Sequence, residues 1–224
     1  MNHSAARIVR EYGPFTGVDK VHGVTYDGRH VWIATGERLD AFDPASGETL
    51  RSIPVPADAG TAFDGEHLFQ IADGRIQKID PQSGRVLSTI AAPGDGGHSG
   101  LTWAEGSLWV GQYPERRIYQ VDPETGAVLR TIESNRFVTG VTWVDGELWH
   151  GTWEGDESEL RHIDPRSGEV LESVEMPAGT GISGLESNGA DLFFCGGGGS
   201  GLVRVVQRPA RDDGTQLTVD STSE

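Results

Sequence analysis

The sequence predicts an all-β fold, a five-bladed β-propeller with four antiparallel strands per blade. Three observations carry this. A turn of the form Asp-Pro-x-(Ser/Thr)-Gly recurs at Asp43, Asp80, Asp122 and Asp164, at spacings of 37, 42 and 42 residues. Each unit opens on a Gly-led run that closes on an aromatic residue, and a second apolar run with an aromatic follows at a regular offset. A period of this length means one folding unit copied around or along an axis, and four strands per ~40-residue unit make a propeller blade.

The inner strands are read at Gly23-Val24-Thr25-Tyr26, Gly60-Thr61-Ala62-Phe63, Gly100-Leu101-Thr102-Trp103 and Gly140-Val141-Thr142-Trp143, with a weaker copy at Gly184-Leu185-Glu186-Ser187. Their alternation suits short strands. Asp27-Gly28, Asp64-Gly65 and Asp145-Gly146 follow, and such residues supply the positive φ of tight hairpins. Second strands lie at 31–34, 68–71, 108–111, 148–151 and 192–195. A third strand then leads into the Asp-Pro turn. There Asp bonds forward amides, Pro presets φ and Gly takes the left-handed position. A fourth strand such as 128–132 ends the unit.

The fifth copy has only three strands, ending at 202–206. Its fourth is read at the other end of the chain, in Arg7-Ile8-Val9-Arg10-Glu11. Val9 precedes Gly23 by 14 residues, as Val86 precedes Gly100 and Val170 precedes Gly184. Residues 214–219 compete for that role, but their surroundings are polar. Residues 1–206 are therefore read as one propeller domain and 207–224 as a polar tail.

Composition narrows the function. The net charge is −16 with no basic run, which argues against a nucleic-acid partner; the acid excess reads as a solvated, self-repelling surface. Cys195 is the single cysteine, so no intrachain disulfide forms. No stretch approaches the ~20 apolar residues of a membrane span. Met1 to Tyr12 lacks an apolar leader core, and the expectation is a cytoplasmic monomer.

In such a ring, the loops before the inner strands and those joining second to third strands converge around the channel, where rigidly held loops carry function. At equivalent positions the residues required by the repeat cancel and the deviants remain. The third inner-strand position reads Thr25, Ala62, Thr102, Thr142 and then Glu186. His22 precedes the first Gly, and His98 lies two before the third. His22, Glu186 and His98 are the candidate catalytic residues, a carboxylate beside an imidazole being an acid–base pair. His22, His98 and His150 can together ligate a divalent metal. Asp58, Asp73, Gln112, Tyr113, Arg116 and Trp153 are candidate contacts to a small molecule or peptide end. Most other aromatics occupy repeat positions and read as packing between blades. Cys195 stands in the small-residue place of Ala34, Gly111 and Gly151.

The blade rhythm, with Leu68-Phe69-Gln70-Ile71-Ala72, resembles the plant- and bacterial-type glutaminyl-peptide cyclotransferases, which are five-bladed propellers. The resemblance implies a transferase-like site on the converging face. At that family's working positions this chain carries His22 for a Gln, Ala59 for the catalytic Glu and Asp73 for a Trp. The implied chemistry is thus altered acid–base or metal-assisted hydrolysis or elimination rather than glutamine cyclisation. The alternative is a noncatalytic ligand- or protein-binding scaffold.

Overall fold

A computed structural model of the chain describes residues 2–210. Blade one consists of Gly23–Tyr26, Val31–Ala34, Leu39–Phe42 and Thr49–Ile53, from the channel outward. Blade two is Thr61–Phe63, Leu68–Ala72, Arg75–Ile79 and Val86–Ala91. Blade three is His98–Ala104, Ser107–Gln112, Arg117–Val121 and Val128–Glu133. Blade four is Val138–Val144, Glu147–Thr152, Glu159–Ile163 and Val170–Glu175. Blade five is Gly184–Ser187, Leu192–Gly196 and Val203–Gln207, completed by the N-terminal strand Ile8–Tyr12. Every inner strand packs on those of both neighbours, and the ring is closed. No helix occurs among the described residues.

The leading glycines explain how the ring closes so tightly. A Cβ on Gly23 would stand 2.5 Å from the carbonyl oxygen of Ala59, and one on Gly60 would stand 2.4 Å from the backbone of Gly100. The sequence continues from Gly100 to Thr139 at 2.5 Å, from Gly140 to Leu185 at 2.2 Å and from Gly184 back to Val24 at 2.6 Å. Five backbones thus form a collar in which no side chain fits.

Outside the collar, aromatics seal blade against blade. Phe69 stacks on Trp103 at 5.5 Å, Trp109 on Trp143 at 5.4 Å, and Trp149 meets Phe193 at 5.1 Å. Each pair joins a second strand to the next blade's inner or second strand. The Asp-Pro turns dock outward in the same sense. In the first, Ala45 N donates to Asp43 Oδ1 at 2.8 Å, and Gly47 (φ 81°) faces the Tyr12 ring of blade five. Gly84 meets Ile53 and Gly168 meets Ile132 in the same way.

Two features were absent from the sequence expectation. Asn2–Ala5 adds a fifth strand to blade four, parallel to Val170–Glu175, with Asn2 opposite Glu172. All four residues are exposed, so no apolar alternation marks them as a strand. At the other end, Val203–Gln207 extends one residue beyond 206, and Arg208 is buried. Its guanidinium donates to Asp145 at 2.7 Å and to Glu147 at 2.5 Å, pinning blade five to the hairpin of blade four. The competing strand at 214–219, and the rest of the expected tail after Ala210, lie outside the described residues.

Candidate functional site

On one side of the collar the loops surround a cavity of about 590 Å³. His22, Asp58, His98, Tyr113 and Trp153 line it, contributed by blades one to four, and the loop 197–200 of blade five completes the wall. These loops are held rigidly. Ser183 Oγ donates to Val21 O, and Ser99 Oγ to Val138 O at 2.8 Å, each hydroxyl tying one blade's approach to the next. Thr139 stands in the same place on blade four, lines the cavity and leaves its buried hydroxyl without a partner among the described residues.

His22 is half-buried, and its backbone N–H is fixed on Ala34 O at 2.8 Å. Burial first and the Lys20 ammonium second lower its pKa, while Asp58 acts in the opposite direction. The imidazole is therefore neutral at neutral pH and able to accept a proton. Its carboxylate neighbour is Asp58. His98 places Nε2 2.8 Å from Pro93 O. A carbonyl only accepts, so Nε2 carries the hydrogen and Nδ1 is the basic nitrogen.

The aromatic wall is built from Tyr113 and Trp153. Tyr113 stacks on Phe137 at 4.6 Å and donates its hydroxyl to Trp153 O at 3.2 Å. The Trp153 ring lies over Gly181, where a Cβ would stand 2.6 Å from Cζ3. A side chain at 181 would displace the indole.

The other candidate contacts stand behind or beside the wall. Gln112 is buried; it donates to Gly96 O at 2.6 Å and accepts from the Tyr119 hydroxyl at 3.0 Å, so it holds the loop rather than facing the cavity. Arg116 lies over the Phe137 ring at 4.4 Å and pairs with Glu154 at 3.5 Å. Asp73 occupies a hairpin tip at φ 50°, with its N–H 3.4 Å from Asp58 Oδ2. None of these three lines the cavity.

Glu186 sits two residues past the collar and does not line the cavity either. Thr142 Oγ1 and Ser187 N reach its Oε1 at 2.5 and 2.9 Å, and Thr25 Oγ1 reaches Oε2 at 2.9 Å. No hydrogen bond or ion pair joins it to His22 among the described residues. Burial, only partly offset by these bonds, pushes its pKa up to about 7. The carboxyl thus ties blade five to both neighbours.

His150 lies elsewhere. It is wholly buried in the second strand of blade four and donates from Nδ1 to Gly151 O at 3.0 Å. Its Nε2 has no partner among the described residues, and it lines a separate crevice of about 260 Å³ with Glu133, Asn135 and Glu169. Burial lowers its pKa to about 4. The structure therefore does not bring His150 to His22 and His98: its side chain belongs to a different wall of the blade. Among the described residues no group of three or more His, Cys, Asp or Glu side chains is placed to hold a metal ion. Cys195 is buried and its thiol is pushed up to about 12, as expected for a packing residue.

Lys20 and Arg204 also line the cavity and were not singled out in the sequence. Strand register pairs Arg204 with Cys195, at the place where the other blades carry Asp40, Gln77, Tyr119 and Arg161, while Val203 fills the aliphatic place of Leu39, Ile76, Ile118 and Leu160. The repeat therefore gave no signal that singles out Arg204.

Comparison with known proteins follows the architecture. The family model described as outer membrane protein assembly factor BamB matches residues 72–208. No curated protein matches the chain. Among solved structures, a glutaminyl cyclase from Myxococcus xanthus is similar with a TM-score of 0.77 and 17% identity, over 92% of this chain and 97% of that one. A hydrazine synthase from Kuenenia stuttgartiensis is similar with a TM-score of 0.52 and 18% identity, over 80% of this chain and 56% of that one. At these identities the likeness is one of fold.

Proposed function

The chain belongs to the repeat family described as outer membrane protein assembly factor BamB, and we propose that the cavity at its channel mouth binds a small molecule or the end of a peptide, with His22 as the proton-handling group. One observation carries the reading. Side chains distant in sequence, His22, Asp58, His98, Tyr113 and Trp153, converge on a single cavity of about 590 Å³. That size and mixture, an aromatic wall with a few polar groups, is typical of small-ligand sites.

His22 supports altered acid–base chemistry, since a neutral imidazole beside a carboxylate accepts a proton and returns it. Ala59 stands where the cyclotransferases resembled by the sequence carry their catalytic Glu, so glutamine cyclisation is not the reaction proposed. A second reading, a noncatalytic scaffold for a protein partner, is favoured by the family's description as an assembly factor.

The test is peptide and metabolite binding followed through the Trp153 indole resonance. The ligand-site reading expects saturable shifts that His22→Ala weakens, and calorimetric binding that Trp153→Ala weakens, while the fold survives. Ligands that shift only outer-blade resonances, with both variants unaffected, favour the scaffold reading instead. Mass analysis of incubated peptides separates binding from turnover.

A further inference from the structure

We propose that the ligand carries a carboxylate, and that Arg204 and Lys20 form its subsite where blade five meets blade one; this rests on the cavity being a ligand site.

Arg204 stands at a third-strand position that is polar in every blade. Asp40 is held there by Arg38 at 2.9 Å, Tyr119 donates to Gln112 at 3.0 Å, and Arg161 donates to Glu159 at 2.7 Å and to Asn135 at 2.6 Å. The Arg204 side chain is 14% exposed. Its Nε donates to Glu11 at 2.7 Å. Its terminal nitrogens donate to no protein atom among the described residues, although they belong to a residue lining the cavity. A Cβ on Gly197 would stand 2.9 Å from Nη1, so the missing side chain at 197 leaves room for the guanidinium.

Lys20 lines the same cavity, and its ammonium makes no ion pair or hydrogen bond among the described residues. It reaches the site because Val21 pairs with Gly198 across the blade boundary, N to O at 3.0 Å. Two donors of opposite shape therefore face one corner, a planar fork and a point charge. Geometry selects the anion: with Nε spent on Glu11, the two terminal nitrogens of the guanidinium remain to take the two oxygens of one carboxylate side by side. Asp58 lines the same cavity from blade two, with blade one between it and Arg204.

The experiment compares N-acetylphenylalanine, N-acetylphenylalaninamide and inorganic phosphate by calorimetry and by the Trp153 indole resonance. The acid is expected to bind about tenfold more tightly than the amide, with the gap closing in high salt. Arg204→Gln installs the residue that blade two carries at this position, Gln77, and so keeps the fold. It should erase the preference while leaving amide binding unchanged, and Lys20→Gln, at an exposed site, should narrow it. Equal binding of acid and amide, or phosphate displacing the acid, overturns the carboxylate subsite while the cavity stands. If neither phenylalanine derivative binds at the cavity, the ligand-site reading fails and takes this inference with it.

Discussion

Gly184 stands against Gly23 and Val24 where the last blade meets the first, with 2.6 Å between an added Cβ and Val24 N. The contact is backbone against backbone, so nothing flexible can yield. Gly184→Ala is expected to cost about 3 kcal/mol, the upper range for overpacking a tight core, and Gly140→Ala, at 2.2 Å from Leu185 N, at least as much. Gly199 has open space within 4 Å, and Gly199→Ala should leave urea midpoints unchanged. Equal midpoints for all three would remove the collar as the element that closes the ring.

Glu186 and His150 give opposite pH dependences. The Glu186 carboxyl has a folded pKa of about 7 against 4.5 for the free group, so the folded state holds a proton the unfolded chain has lost. Its contribution is fully present below 4.5 and is lost as pH rises to 7. His150 has a folded pKa of about 4 against 6.5. Its contribution is present above 6.5 and is lost as pH falls to 4. Each amounts to about 3 kcal/mol, and they offset one another between pH 4.5 and 6.5. Glu186→Gln should make stability rise with pH across that window, and His150→Asn, which keeps a donor to Gly151, should make it fall. Parallel slopes in the two variants would contradict the assignment.

The N-terminal segment contributes two strands of unequal weight. Asn2–Ala5 is exposed along its whole length, and removing residues 1–5 should cost about 1–2 kcal/mol through its ladder bonds and the 2.6 Å hydrogen bond between His3 Nδ1 and Ser173 Oγ. Ile8–Tyr12 completes blade five, and the Tyr12 ring meets Phe42 at 4.8 Å while its hydroxyl donates to Pro44 O at 2.6 Å. Removing residues 1–12 should abolish cooperative unfolding and expose dye-binding apolar surface. A cooperative transition in that variant would show that the strand does not close the ring.

The propeller was legible because repeat residues have local causes. Asp43, Pro44 and Gly47 specify a turn wherever they occur, and the 14-residue offset of Val9 from Gly23 located the closing strand. Deviants from the repeat were equally legible as residues, as Glu186 was. Their destinations were not. Which way a side chain leaves its strand depends on neighbouring blades, and Thr25 and Thr142 hold Glu186 between the two adjacent inner strands rather than toward His22. His150 fell to the same cause, since its strand turns it into a crevice between blades. Arg204 was missed because its third-strand position is polar in every blade, with Asp40, Gln77, Tyr119 and Arg161 there, so it is no deviant of the repeat.

His22 supplies the last prediction. Burial lowers its pKa most, Lys20 lowers it further and Asp58 raises it. Each contribution answers to a different change. Lys20→Gln removes a repelling charge and should move the imidazole titration upward, whereas Asp58→Asn removes an attracting one and should move it downward. Both residues are exposed, so both effects should shrink in 1 M salt, where the screening length falls to about 3 Å. The part due to burial should persist. Proton resonances of the ring, followed from pH 4 to 9, separate the three. If neither substitution moves the midpoint, His22 does not share its cavity with Lys20 and Asp58, and its role as the proton-handling group there is lost.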